Sequence, residues 1–126
     1  MTQAGPVLLV EDDADARALL AELLRRRGFV VDTVANGAEA ITAFETGARP
    51  RAVLTDLRMP GLVGNEVIEY MRSSPELAAI PVAVVSGIPR GAPVGYTVFT
   101  KPVDVEVLTA FLRRVISSSG GREVQA

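Results

Sequence analysis

Two kinds of hydrophobic pattern alternate along the chain. Pro6 to Val10 is an uninterrupted apolar run, as expected of a strand buried on both faces. From Ala14 to Arg27, Ala16, Leu19, Leu20, Leu23 and Leu24 recur at helical spacing, with Gly28 placed as the stop. Phe29 to Val34 reads as the next strand. Asn36-Gly-Ala-Glu39 then resembles a capping box opening a helix that turns Ala40, Ile41 and Phe44 inward and ends near Gly47. Arg51 to Asp56 gives a third strand, residues 65–72 a helix with Val67, Ile68 and Met71 on one side, and residues 76–79 a short turn. Pro81 to Val85 and Tyr96 to Thr100 are the fourth and fifth strands. Val103 to Ile116 is the last helix, with Asp104 near its cap and Val107, Leu108, Phe111, Leu112 and Val115 inward.

Alternation of buried strands with amphipathic helices predicts a parallel sheet covered on both faces, joined by right-handed crossovers. Ligands of such sheets bind beyond the carboxyl ends of the strands. The residues at those ends are Glu11, Asp12 and Asp13 after the first strand, Asp56 after the third, Ser86 after the fourth and Lys101 after the fifth.

Composition narrows the chemistry those ends can perform. The chain has 126 residues, 48% hydrophobic and 22% charged, enough for one ordinary globular domain. It contains no cysteine and no histidine. Disulfides, thiolate or imidazole zinc sites and His-dependent triads are thereby excluded, and only carboxylates, hydroxyls, arginine and lysine remain. The basic residues are all arginine except Lys101. A net charge of -2 with scattered arginines argues against nucleic-acid binding by the domain itself. The run Arg25-Arg26-Arg27 is expected on a solvated face at a helix C-terminus. No apolar run approaches the roughly eighteen residues needed to cross a bilayer, and the N-terminus lacks a signal-peptide pattern, so a cytoplasmic protein is expected.

Several carboxylates at one mouth repel one another unless a cation neutralises them, which implies a hard divalent ion. Magnesium is suited to one or two carboxylates, waters and a phosphate oxygen. An ammonium and a hydroxyl facing the same point, Lys101 and Ser86, complete a phosphoryl site. Asp56 is then the natural nucleophile, and in-line transfer to it would give an acyl phosphate.

Over about residues 6–117 the chain resembles a response-regulator receiver domain of a two-component system. The matching pieces are the acids in Val-Leu-Leu-Val-Glu11-Asp12-Asp13, Leu54-Thr-Asp56-Leu-Arg-Met-Pro60-Gly61 with Gly64, Val-Val-Ser86, and Lys101-Pro102. The resemblance implies a flavodoxin-like, doubly wound five-stranded sheet of order 2-1-3-4-5. It also implies a phosphoacceptor at Asp56, assisted by Lys101 and Ser86, and Mg2+ held by Glu11, Asp12, Asp56 and the backbone carbonyl of Arg58. Counting back from Gly28-Phe29 makes Glu11 and Asp12 the acidic pair, with Asp12 a direct ligand and Glu11 acting through water. Asp13 would cap the helix, and a one-residue slip is the alternative. The phosphoryl donor would be a sensor histidine kinase or a histidine phosphotransfer protein, and the output a downstream partner protein.

Two departures from the family stand out. Only residues 87–100 separate Ser86 from Lys101, and glycine or proline recurs through them at 87, 89, 91, 93 and 95, so the fourth crossover helix is expected to be absent or about one turn. The aromatic switch residue expected three places before the lysine is Val98; the switch candidates are Ser86 and, as a displaced aromatic, Tyr96, which is otherwise a strand aromatic half-covering an edge. Residues 118–126 read as a flexible tail, leaving a stand-alone receiver or the receiver of a longer protein. Two alternatives follow: a receiver-like adaptor that binds partners without phosphorylation, and a phosphatase of the haloacid-dehalogenase type. The latter requires an acid where this chain has Arg58.

Overall fold

A computed structural model describes residues 6–56, 64–87 and 95–125, with the side chains of 64–65 and 118–125 left aside. The elements are β1 (Val7–Val10), α1 (Ala14–Arg26), β2 (Val31–Val34), α2 (Gly37–Glu45), β3 (Ala52–Thr55), α3 (Gly64–Arg72), α4 (Pro75–Ala78), β4 (Val82–Ser86), β5 (Thr97–Thr100) and α5 (Val105–Gln125). All strand pairs are parallel and the sheet order is β2-β1-β3-β4-β5, as expected.

Apolar strands alternate their side chains between two cores, which is why β1, β3 and β4 can be buried throughout. Leu8, Val10, Val53, Val82 and Val84 face α2 and α3, where they meet Ala40, Phe44, Val67, Ile68 and Met71. Val7, Leu9, Ala52, Leu54 and Ala83 face α1 and α5, against Ala21, Leu24, Leu108 and Leu112. On β5, Val98 joins the first core and Phe99 the second, so alternation holds on the edge strand too.

Helix ends follow their local chemistry. Asp13 caps α1 by accepting the Ala16 N–H at 2.7 Å, and Gly28 closes it at φ 94°, a conformation that favours glycine. Asn36 caps α2 through the Glu39 N–H at 2.8 Å, while Glu39 accepts the Ala35 N–H, one residue earlier than in a standard capping box. Asp104 caps α5 through the N–H groups of Glu106 and Val107.

The differences from the sequence reading have physical reasons. Val107, expected inward, is 54% exposed, and Leu19, one of the helically spaced apolar residues of α1, is 59% exposed. The buried stripe of α5 centres on Leu108 and Leu112 and that of α1 on Ala21 and Leu24, which leaves Val107 and Leu19 on the rims. Strand β2 starts at Val31, not Phe29: Phe29 N–H is spent on the carbonyl of Leu24, and contact with β1 begins where the Val30 carbonyl accepts the Val7 N–H at 2.8 Å. Helix α5 continues past Ile116, where the apolar pattern ends, to Gln125. Extending an existing helix adds one hydrogen bond per residue without a new nucleus, so it outruns its packed stripe. The one-turn α4 lies in the third crossover, before β4. In the fourth crossover the described residues Gly87, Gly95 and Tyr96 are not helical, and residues 88–94, on which the expected loss of a helix falls, lie outside the described residues.

Arginines 25 to 27 are locally engaged. Arg25 donates to the Val31 carbonyl at 2.7 Å, Arg26 pairs with Glu22 one turn back, and Arg27 pairs with Glu106 of α5.

Candidate functional site

Parallel order and register bring the ends of β1, β3, β4 and β5 to one edge of the sheet. Glu11 extends the β1–β2 ladder, its N–H donating to the Val34 carbonyl at 3.2 Å. Asp56 follows β3, its N–H reaching the Val10 carbonyl at 3.4 Å. Lys101 follows β5, its N–H donating to the Ser86 carbonyl at 3.0 Å, so the ladder itself makes Lys101 and Ser86 neighbours.

Side chains converge on this edge. Lys101 Nζ donates to Asp56 Oδ2 at 2.6 Å and to Glu11 Oε1 at 2.9 Å. Glu11, Asp56 and Ser86 are buried, whereas the lysine side chain keeps 33% of its exposure and closes the mouth from the solvent side. Burial acts to lower the Lys101 pKa, but the hydrogen bonds and charges of Asp56 and Glu11 outweigh it, and the net shift is upward. The ammonium is therefore charged throughout the neutral range. Carboxylate oxygens of Glu11, Asp12 and Asp56 lie within 4.8 Å of one another, with Asp12 the exposed member.

Of the residues singled out in the sequence, Glu11, Asp12, Asp56 and Lys101 meet here, and Ser86 stands beside them at the end of β4. Asp13 is occupied in capping α1, which separates it from the other two acids of its run. Arg58 lies outside the described residues. Tyr96 is not brought to the mouth. It precedes β5, whose first residue pairs with Ala83 while Ser86 pairs with Thr100. At about 3.3 Å per residue, four residues of strand put it roughly 13 Å from the Ser86 end. There its hydroxyl accepts from Arg72 Nε at 3.0 Å, and the Arg72 guanidinium lies 5.2 Å from its ring centroid. Period-2 alternation gives the face of a strand residue but not its distance along the strand, and Tyr96 stands at the end of β5 away from Ser86.

Sequence reasoning passed over Arg17. Its Nη1 donates to the Glu11 carbonyl at 2.9 Å. A cation in the first turn of a helix, where the macrodipole favours acids, was the available signal.

A doubly wound parallel sheet whose strand ends gather an acidic cluster, a buried hydroxyl and a lysine shared between two carboxylates defines a signalling class. The chain belongs to the response regulator receiver domain family, whose pattern its residues 7–113 match. It is 29% identical over 123 residues to the DNA-binding transcriptional regulator NtrC of Escherichia coli K12, covering 91% of this chain and 25% of NtrC. The receiver domain of the hybrid histidine kinase CckA is 33% identical with a TM-score of 0.74, covering 89% of this chain and 99% of that one. The receiver domain of sensor histidine kinase PA1611 from Pseudomonas aeruginosa PAO1, solved with a magnesium ion coordinated in its active-site cleft, is 27% identical with a TM-score of 0.81. That match covers 90% of this chain and 99% of the PA1611 receiver. The chain spans between 25% and 52% of the length of the first curated relatives it matches. Receiver domains are signalling domains of two-component systems, not conventional enzymes.

Proposed function

We propose that Asp56 accepts a phosphoryl group from a sensor histidine kinase or a histidine phosphotransfer protein, and that the phosphorylated domain signals by binding a partner protein. The observation that carries this reading is the ammonium of Lys101 held by both Asp56 and Glu11. Such an arrangement sets a fixed cation against the nucleophilic carboxylate and beside the position an incoming phosphoryl oxygen would take. In the transfer, an Asp56 oxygen forms a bond to phosphorus while the bond from phosphorus to the donor's imidazole nitrogen breaks. The imidazole departs with the electron pair and takes a proton from solvent. Because this chain has no histidine, the phosphohistidine belongs to the donor. Lys101 pairs with one phosphoryl oxygen and the Ser86 hydroxyl donates to another.

The donor set fits Mg2+, a hard ion served by carboxylate oxygens and water. Glu11, Asp12 and Asp56 would hold it, joined on the family resemblance by the Arg58 carbonyl; the magnesium in the PA1611 receiver supports the same choice. When bound, the ion offsets negative charge on the carboxylates and on the phosphoryl oxygens. An apolar groove of about 280 Å³, walled by Leu19, Leu20 and Leu23 of α1 and by Val103 and Val105, opens beside Glu11 and Lys101 and offers a donor protein a surface next to the nucleophile.

The phosphorylatable unit is residues 6–117, with 118–126 as a C-terminal extension. It turns over no external substrate and catalyses only its own phosphorylation and dephosphorylation. Among the described residues no helix is long and apolar enough to cross a membrane, in keeping with a cytoplasmic location. The domain itself contacts proteins and not nucleic acid; the DNA binding in NtrC's name concerns a relative about four times the matched length. The second reading, an adaptor that does not switch by phosphorylation, is favoured by Val98 and by Tyr96 being tethered to Arg72 away from Ser86.

Intact-mass analysis after incubation with acetyl phosphate and Mg2+ decides between the two. Wild type should gain one phosphoryl group and Asp56→Asn none. A wild type that stays unmodified overturns the first reading in favour of the second.

A further inference from the structure

Arg17 lies in the first turn of α1, where its charge opposes the helix macrodipole. Its place is explained by what it grips. The half-buried guanidinium donates from Nη1 to the backbone carbonyl of Glu11 at 2.9 Å. The same turn is held from its other side: Asp13 N–H donates to Glu11 Oε2 at 3.1 Å, Asp13 Oδ2 accepts the Ala16 N–H at 2.7 Å, and the Asp13 carbonyl accepts the Arg17 N–H at 2.8 Å. Arg17 thus reaches backward over a turn that its own helix caps.

We propose that Arg17 is a positioning residue for the cation-binding acids. By clamping the Glu11 carbonyl it fixes the peptide joining Glu11 to Asp12, and with it the directions in which both side chains leave the backbone. The acids are then arranged before a cation arrives, and less ordering remains to be done on binding. The inference rests on the reading of Glu11, Asp12 and Asp56 as a Mg2+ site.

Arg17 also carries a positive charge near that site, and its removal taken alone would strengthen cation binding. The two effects separate with salt. At about 0.5 M ionic strength the Debye length is roughly 4 Å, so the charge contributes little and the hydrogen bond to the carbonyl dominates.

The experiment compares wild type, Arg17→Ala and Arg17→Lys at that ionic strength, with the Mg2+ dissociation constant from calorimetry and the amide exchange rate of Asp13 measured without metal. Arg17→Ala is expected to weaken Mg2+ binding about tenfold and to speed Asp13 exchange by a similar factor, a shift typical of losing a charge-assisted hydrogen bond. Arg17→Lys, which keeps a cationic donor, should recover most of both losses. The thermal midpoint of each variant is recorded so that general destabilisation, which would speed exchange throughout the sheet, is recognised and counts against the proposal. Mg2+ binding and Asp13 exchange in Arg17→Ala within twofold of wild type overturn it. Wild type failing to bind Mg2+ instead overturns the metal reading, and the positioning role with it, whatever Asp13 exchange shows.

Discussion

Replacing Lys101 with methionine removes the cation shared by two buried carboxylates while keeping an unbranched stem of similar length. The cost can be worked from the geometry. Carboxylate oxygens of Glu11 and Asp56 within 4.8 Å of one another repel by at least about 3.5 kcal/mol at an effective dielectric of 20. Two charge-assisted hydrogen bonds, at 2.6 and 2.9 Å, are lost at the same time. Stripping a partner from buried charges costs roughly 3–5 kcal/mol when water is excluded. Here the lysine side chain keeps a third of its exposure and solvent screens the pair, so about 2 kcal/mol is expected at pH 7 without divalent ions. For a domain of this size that lowers the thermal midpoint by roughly 6–8 °C. Asp56→Asn should rescue most of the loss, since it removes one of the two stranded charges; the coupling in a double-mutant cycle should exceed about 1 kcal/mol. Urea unfolding of wild type, both single variants and the double variant gives the cycle. Mg2+ provides an internal check, because the lysine and the ion compete for the same acids. Lys101→Met should bind Mg2+ about tenfold more tightly than wild type, and saturating ion should close the stability gap between them. A Lys101→Met protein as stable as wild type in chelator, or a coupling near zero, would refute the assignment of Lys101 as the counter-ion of the acidic cluster.

Two further outcomes follow from the same contacts. Since the folded-state pKa of Lys101 is raised above 10.5, its ion pairs contribute fully below that unfolded value and their contribution is lost as pH climbs through the folded value; the stability difference between wild type and Lys101→Met should stay flat from neutral pH to about 10 and shrink beyond it, and a gap that grows in alkali would contradict the sign. Tyr96→Phe should cost about 0.5–1 kcal/mol through the lost bond from Arg72, yet leave the rates of Asp56 phosphorylation and dephosphorylation within about twofold of wild type, because the ring lies at the far end of β5; a larger kinetic effect, measured by intact mass over time, would restore Tyr96 as a switch.

The parts of this protein most legible in its sequence are those fixed by short-range rules. Continuous apolar runs at 7–10 and 82–85, too short for a helix, read as strands buried on both sides, and the strand-end rule then collects Glu11, Asp56 and Lys101 from distant positions without any knowledge of contacts. The family resemblance, counted back from Gly28-Phe29, set Asp13 apart from Glu11 and Asp12 with a one-residue slip still open, and the cap that Asp13 makes to Ala16 is seen only in the structure. What escaped depended on geometry that periodicity does not carry. Helical spacing marks Leu19 and Val107 as apolar-face residues but not as rim residues, since the rim is set by how closely α1 and α5 approach the sheet. The grip of Arg17 on Glu11 spans six residues through a strand end, a turn and a cap, and no single pattern includes all three.

The order of strands across the sheet has a consequence for what holds the acidic cluster together. Strand β1 sits between β2 and β3, and β4 and β5 are added outward on one side in chain order. The first 56 residues therefore hold the acids Glu11, Asp12 and Asp56 with three adjacent strands to seat them, while their counter-ion arrives on the last edge strand, 45 residues after Asp56. In chain order the acids come first and the ammonium last. The pairing of Lys101 with Asp56 and Glu11 thus depends on the seating of an edge strand, and a change that loosens β5 from β4 also loosens the hold on acids that lie two and three strands inward.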